Sequence, residues 1–435
     1  MKFVAIIAGM VLAASCVGHV QTHEAVIVNP GHIHAAMVLK FPVPGMGDTV
    51  RVYAPQGPEL ESFISTVNSF NSREENPTSW ELDVCAADDF LSALPEAPQG
   101  SFVVLSGKNR LKAQEILEAV SKGYNVLSDK PMAIAPADYE ILEEAYALAS
   151  KRGLVIMDLM TERYETLNRI SRDIMGREDI FGSPRSIDID DVHYFFKEMA
   201  GSPMKRPQWY YDVAEQGEGI ADVTTHFIDL AMWQCFPGMA VKCTDISEIE
   251  AVHYPTAITP EQYSMSTGAT DFPDCLQGCV KDGLLQVYSN GILSFKMKGV
   301  SVKIRMTWDF KAADGASDSF KSVCEGSSAS LFINQDESTG YRRRLTVECS
   351  EEAAGKIAGL LDELYSGARI VPCGDERYWI DASAIPNPGH ESHFSMVVSQ
   401  FISYLDGEVV PSWETENTLV KYCITTTAVS KAAEE

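Results

Sequence analysis

At 435 residues, 45% of them hydrophobic, the chain has the length of roughly two or three domains and can bury a large core. After residue 16 no segment approaches the roughly 18 continuous apolar residues of a membrane span. A net charge of −26 and a sequence pI near 4.7 repel a phosphate backbone and exclude nucleic acid as a partner; the acidic residues are scattered, as on a solvated surface.

The chain opens with "MKFVAIIAGMVLAASC" (1–16), which has one lysine, an apolar run of signal-peptide length and small residues before Cys16. "LAASC" resembles a bacterial lipoprotein box, although Leu12 sits one position further from the cysteine than the usual pattern. The expectation is a cleaved signal over 1–16 with lipidation of Cys16. A linker over 17–23 follows, and the mature protein is tethered by lipid on the periplasmic side of a bacterial membrane. An ordinary secretory signal or a buried first strand are the alternatives. Nine cysteines remain after Cys16, an odd number that cannot all pair within one chain. They are expected to be mostly buried free thiols, with Cys275 and Cys279 close enough to bridge.

From residue 24 strands and helices alternate. "EAVIVNP" (24–30), "DTVRVYAP" (48–55), "SWELDVCA" (79–86), "GSFVVLSG" (100–107), "YNVLSDKP" (124–131) and "LVIMDLM" (154–160) read as short strands ending in turn residues. "HAAMVLKF", "RLKAQEILEAVSKG" and "PADYEILEEAYALASKRG" read as helices, the last opened by Pro136 and closed by Gly153. This rhythm predicts a doubly wound parallel sheet over 24–158. Beyond it the rhythm changes. "PRSIDIDDVHYFF" is a long strand, and the Asn-Gly in "LLQVYSNGILSFKMKGVSVKIRMTWDF" predicts a hairpin turn between two alternating runs. "SASLFINQ" and "RRLTVECS" are further strands. "ESHFSMVVSQFISYLDG" puts Phe394, Val397, Val398, Phe401, Ile402 and Leu405 on one helical face. Residues 159–435 therefore form an α+β domain with a largely antiparallel open sheet, whose face could pair two or four copies.

Three pieces carry chemistry. In "AVIVNPGHIHAAM" (25–37), Asn29, Gly31 and His34 stand where a dinucleotide turn wants G-x-G-x-x-G. Asn can adopt the left-handed backbone of the first position, and Gly31 keeps the central approach. The end of the second strand, "VYAPQG", offers no ribose carboxylate, so NAD and NADP are not distinguished. In "LSDKPMAI" (127–134), Lys130 lies on the ligand side of the sheet, where burial would bias it towards its neutral form. In "GEGIADVTTHFIDLAMW" (217–233), Asp222 and His226 stand four apart, a helical spacing that would let the carboxylate orient and strengthen the imidazole. Asp229 could be a second orienter or a surface charge. Arg163 and His193 could point into a cleft. Trp209, Tyr210 and Tyr211 could stack on a sugar face or fill the core. His390 and His393 read as caps or surface residues. The histidines show no paired ligand spacing, so no metal is expected.

In this order the three pieces resemble the Gfo/Idh/MocA family, that of glucose–fructose oxidoreductase and inositol dehydrogenase. "VVLSGKNRLKAQEILEAVSKGYNVLSDKPMAI" is similar to the family's stretch from fourth strand to catalytic lysine. "MTERYETL", "RPQWYYDVAEQGEGIADVTTHFIDL" and "IPNPGHESHFSMVVSQFISYL" are similar to a bacterial branch of oxidoreductases without an assigned substrate. Asp129 stands where the family has Glu. The resemblance implies a Rossmann domain over 24–158 that binds NAD or NADP through Asn29, Gly31, His32, Ile33, Ser106, Asn109 and Lys130. It implies His226 as general acid/base, Asp222 as its orienter and Lys130 beside the nicotinamide. Arg163, His193, Trp209 and Tyr210 are then candidates for holding a sugar-like substrate. The expected activity is hydride transfer at a hydroxyl-bearing carbon of a sugar, glycoside or polyol. The alternatives are glycoside cleavage through transient oxidation and elimination, and a redox-inactive carbohydrate-binding lipoprotein.

Overall fold

Six strands of the first half lie side by side, all parallel: β1 (His23–Val28), β2 (Met46–Ala54), β3 (Glu81–Ala86), β4 (Phe102–Leu105), β5 (Asn125–Ser128) and β6 (Ile156–Asp158). The structure is a computed structural model and describes residues 22–199, 202–386 and 389–434. The signal sequence and Cys16 expected at the N-terminus lie outside the described residues. Strand order is β3-β2-β1-β4-β5-β6, so the direction of winding reverses between β1 and β4, the position where such sheets bind ligands. β4 and β5 are buried along their whole length because helices cover both faces, which is why they read as unbroken apolar runs rather than alternating ones.

One face is covered by the helix Pro58–Ser72, through Leu60, Phe63, Val67 and Phe70, and by the helix His390–Leu405, through Phe394, Val397, Val398 and Phe401. Phe401 meets Phe102 of β4 edge-on at 5.3 Å. The chain thus returns from its far end to complete the first core, which the strand rhythm did not foretell. The other face carries the helices Lys112–Ser121 and Pro136–Arg152, the latter ended by Gly153 in the left-handed conformation. The helix expected over 34–41 is shorter, His34–Met37. Pro42 and Pro44 follow at once, and proline disfavours helical backbone in the residue before it.

The second sheet has ten strands. β7 (Pro184–Phe196) is followed by the two-residue ladder of β8 (Glu198–Met199) and β9 (Ser202–Pro203), which stands apart. Then come β10 (Ile246–Ile258), β11 (Val280–Lys281), β12 (Leu284–Met297), β13 (Val300–Lys311), β14 (Ser319–Gly326), β15 (Ser330–Gln335), β16 (Arg344–Glu348), β17 (Arg369–Gly374) and β18 (Arg377–Asp381). The order is β10-β12-β13-β7-β14-β15-β16-β18-β17, with β11 on β12, and every pairing is antiparallel except β13 with β7. Val300, Val302, Ile304, Met306, Trp308 and Phe310 alternate inward along β13 onto a core shared with the helices Thr166–Met175, Thr224–Cys235 and Glu351–Leu364.

The hairpin turn predicted at Asn290-Gly291 is elsewhere. β12 runs straight through both residues, and the chain turns at Lys298-Gly299, both with positive φ. Asn290 is held in the strand because its side chain completes a ladder: Nδ2 donates to Thr256 Oγ1 at 2.8 Å and Oδ1 accepts from the Trp308 amide at 2.6 Å. All nine described cysteines are free, Cys275 and Cys279 included. Five of them are exposed rather than buried, because they sit on strand edges and short connecting turns.

Candidate functional site

Where the C-terminal ends of the parallel strands face the second sheet there is a cleft of about 1170 Å³. The first half contributes His32, Ile33, His34, Asn109, Asp129 and Lys130 to its wall. The second half contributes His193, Arg206, Tyr210, Asp222 and His226, and its far end carries Arg343, Trp379, His390 and His393.

Lys130 and Asp222 meet at the centre. The ammonium donates to Asp222 Oδ1 at 2.5 Å, and both side chains are about a tenth exposed or less. Asp222 Oδ2 accepts from Gln216 Nε2 at 2.9 Å, and the Gln216 carbonyl in turn accepts from Asn109 Nδ2 at 2.6 Å. Lysine, carboxylate and amide thereby link the two halves. Gly219 lets the segment before the helix lie against β12, since a Cβ there would stand 1.9 Å from the Ser289 carbonyl oxygen.

Two expectations are corrected here. Lys130 is not biased towards neutrality: burial alone would lower its pKa, but the adjoining Asp222 and Asp129 carboxylates outweigh it and raise the pKa above the usual lysine range. Asp222 does not orient His226. It precedes the helix Thr224–Cys235, and both its oxygens are engaged by Lys130 and Gln216. His226 Nδ1 is buried with no partner among the described residues. Burial, and then the Lys130 cation, push its pKa down to about 3, so the imidazole lining the cleft is neutral. Asp222 still raises the imidazole's pKa through space, but burial and the Lys130 cation outweigh it.

The glycine turn is built tightly. Asn29 takes the left-handed backbone at φ 49°, as expected at that position, and its side chain donates to the buried Glu115 at 3.0 Å. The Gly31 and His32 amides both donate to the Ser106 carbonyl, at 3.1 and 3.0 Å, tying the β1 loop to the β4 loop. Gly107 completes the seam: a Cβ there would lie 2.1 Å from the Asn29 carbonyl oxygen. Trp209 packs on Gly31 rather than lining the cleft, and its indole Nε1 is buried without a partner among the described residues. Tyr210 does line the cleft, with the Arg206 guanidinium 4.4 Å from its ring centre.

The sequence showed no metal-ligand set, and the fold supplies one. His32, His34 and Asp129 bring three ligand-type atoms within 4.8 Å of one another. His34 and Asp129 are 95 residues apart and meet only because β1 and β5 end on the same side of the sheet.

Arg163 is not in the cleft. It is sunk in an ion-pair network, with Nε and Nη2 on Asp229 at 2.6 Å each and Nη1 on Glu414 at 2.8 Å. Lys421 joins Asp229 at 3.2 Å and Asp158 at 2.8 Å. Asp229 is therefore part of this buried knot and neither orients His226 nor lies on the surface. His193 faces the cleft with Nδ1 3.0 Å from Asp318 and Nε2 2.9 Å from Asp191. Burial opposes its charge, but the two carboxylates lift its pKa to about 9. His390 and His393, read as caps or surface groups, line the cleft, and Arg343 pairs there with Glu162 at 2.7 Å. Nothing local in the sequence marked Gln216, Glu162 or Arg343, whose roles arise from pairing across the fold.

These residues fit the nicotinamide end of a dinucleotide, where Asn109 and Lys130 offer donors on the cleft wall; at the turn, the Gly31 and His32 amides are spent on Ser106 and Trp209 closes over Gly31.

Residues 170–433 match the family described as "Putative oxidoreductase C terminal domain". Among solved structures, an oxidoreductase from Parabacteroides merdae, itself described as putative, is 34% identical with a TM-score of 0.91, covering 95% of this chain and 98% of that one. Two more distant structures share the fold. Levoglucosan dehydrogenase in complex with NADH and L-sorbose is 16% identical with a TM-score of 0.62, covering 95% of this chain and 97% of that one. KijD10, a 3-ketoreductase from Actinomadura kijaniata in complex with NADP and TDP-benzene, is 14% identical with a TM-score of 0.58, covering 94% and 98%. No curated protein matches. The likeness to Gfo/Idh/MocA oxidoreductases drawn from the three motifs is borne out.

Proposed function

This chain belongs to the oxidoreductase family whose C-terminal domain it carries over residues 170–433, and from that premise we propose that it transfers a hydride between NAD or NADP and a hydroxyl-bearing carbon of a sugar, glycoside or polyol. The observation that carries the reading is the Lys130–Asp222 pair, placed beside the neutral His226 at the open end of the parallel sheet. Levoglucosan dehydrogenase and the 3-ketoreductase, which have this fold with NADH or NADP bound, support it.

The cofactor, when bound, supplies a ring carbon that accepts or returns hydride. Asn109 and Lys130 are the groups that would hold its nicotinamide end. The remaining work falls to the chain's own side chains. Asp222 takes one of the three N–H donors of Lys130, leaving two for the oxygen on the reacting carbon. An ammonium beside that oxygen lowers the hydroxyl's pKa, so the weakly basic His226 can accept its proton. In the reverse direction Lys130 polarises the carbonyl. The cleft suits a polyhydroxylated substrate: Glu162, Asp191 and Asp318 can accept from hydroxyls, and Tyr210, Trp308 and Trp379 offer faces to C–H bonds.

His226 sets a pH signature. Its pKa falls from 6.5 to about 3 on folding, so the folded state binds fewer protons than the unfolded chain in that interval. Stability is therefore highest above pH 6.5 and declines as pH falls towards 3. His32, lowered to about 4 by burial and then by His34, acts with the same sign. Denaturant unfolding from neutral to acid pH is expected to show this decline, with a smaller slope for His226→Gln. The acid limb of kcat/KM is expected well below the ordinary histidine range.

The direct test incubates the protein with NAD⁺ or NADP⁺ and a panel of glycosides and polyols. Net formation of reduced nicotinamide is expected. Sugar release without it would favour redox-assisted cleavage, and neither outcome with any substrate would refute the reading. An exported, lipid-tethered location through Cys16 and a homodimer or tetramer belong to the same proposal. The first rests on residues 1–16 and the second on the open antiparallel sheet.

A further inference from the structure

We propose that His32 Nδ1, His34 Nδ1 and the Asp129 carboxylate form a site for one divalent transition-metal ion, opening onto the cleft beside Lys130.

The argument starts from spacing. His34 Nδ1 and His32 Nδ1 lie 3.0 and 3.5 Å from Asp129 Oδ2. Ligand atoms bound at about 2.0–2.2 Å around a four-coordinate ion stand about 3.3 Å apart. The two imidazoles meet edge to face, 86° between planes and 4.2 Å between centres, so both Nδ1 atoms converge on the carboxylate instead of the rings stacking.

The three side chains already converge on one carboxylate. Asp129 Oδ2 already accepts from Ser106 Oγ at 2.8 Å and faces His34 Nδ1. The His34 amide N–H points at His32 Nδ1 from 3.4 Å. Protonated, each Nδ1 donates to Asp129; deprotonated, it turns the same in-plane lone pair towards an ion held against the carboxylate. The support is in place as well: Ser106 and Lys112 fix the two ends of Asp129, the latter by its Nζ on the Asp129 carbonyl at 3.1 Å, and Phe394 packs on the His34 ring at 4.8 Å.

Two imidazoles and one carboxylate suit zinc, manganese, iron, cobalt or nickel better than calcium or magnesium, which prefer all-oxygen sets. Three protein ligands leave at least one position for an oxygen from the cleft. With His32, His34 and Asp129 all on the cleft wall, a substrate hydroxyl or carbonyl could occupy it and be polarised there. The site therefore goes beyond the hydride-transfer reading and stands on different atoms.

The test uses the untagged protein, stripped with chelator and titrated calorimetrically with zinc and with manganese. One equivalent of at least one of them is expected to bind. His34→Ala and His32→Ala are each expected to weaken it by about 100-fold or more at unchanged circular dichroism. Should a variant fail to fold, a wild-type crystal soaked in the same ion decides by anomalous scattering, with a peak expected among the three side chains. Binding of neither ion, equal binding by the variants, or a peak elsewhere would overturn the site. Turnover is not read at any point, so failure here and failure of hydride transfer are separable.

Discussion

Lys130→Gln is expected to lower kcat by about 10²–10⁴-fold while the protein remains folded and still binds nicotinamide nucleotide. Glutamine can keep a hydrogen bond to Asp222 but brings no charge to polarise the reacting oxygen. The structure gives the change two effects of different kind. It leaves the buried Asp222 without a counter-ion, which costs stability, and it takes from the cleft wall the ammonium that polarises the oxygen on the reacting carbon. Lys130→Arg separates them. Arginine restores the ion pair, so thermal stability is expected to recover, yet its wider planar fork cannot set two N–H donors on the reacting oxygen as the compact ammonium does, and kcat is expected to stay low. Recovery of kcat in the arginine variant would reduce Lys130 to a structural partner of Asp222. Initial rates over a range of substrate concentrations check this, since the loss should fall on kcat more than on KM.

Arg163→Met is expected to act in the opposite sense, on stability and not on chemistry. The guanidinium joins Asp229 and Glu414, and the same buried knot includes Lys421 and Asp158. It ties the end of β6, the helix Thr224–Cys235 and the helix Ser412–Ala432 into one body. Removing one member of a buried ion-pair network strands the others, a cost of about 3–5 kcal/mol. The denaturant midpoint is expected to fall accordingly. At temperatures where the variant is folded, KM is expected within about twofold of the parent, because the side chain does not reach the cleft. A large rise in KM at unchanged stability would restore Arg163 to the substrate site.

The strands, most helices and the Lys130, Asp222 and His226 positions were legible in the sequence because each depends on local signals: apolar runs, capping glycines, a lysine before proline at a strand end. Pairings were not. Lys130 and Asp222 are 92 residues apart, and which neighbour the carboxylate would choose is set by how the two sheets face each other. Periodicity placed His226 four residues beyond Asp222 but not Asp222 ahead of the helix, where its oxygens turn to lysine and glutamine. The Asn290-Gly291 signal misled for a related reason: a tertiary partner, the Trp308 amide, holds the asparagine in extended backbone against its local turn preference. Arg163 was a cleft candidate on its place in the sequence alone, and Asp229 together with Glu414 of the returning C-terminal helix holds it away from the cleft.

The reading stands on the nicotinamide ring lying against Lys130. A crystal structure of the protein soaked with NADH or NADPH tests this most directly. The account predicts the ring within hydrogen-bonding reach of the Lys130 and Asn109 side chains. Nucleotide bound away from this cleft, or a site left empty at saturating nucleotide, would contradict it.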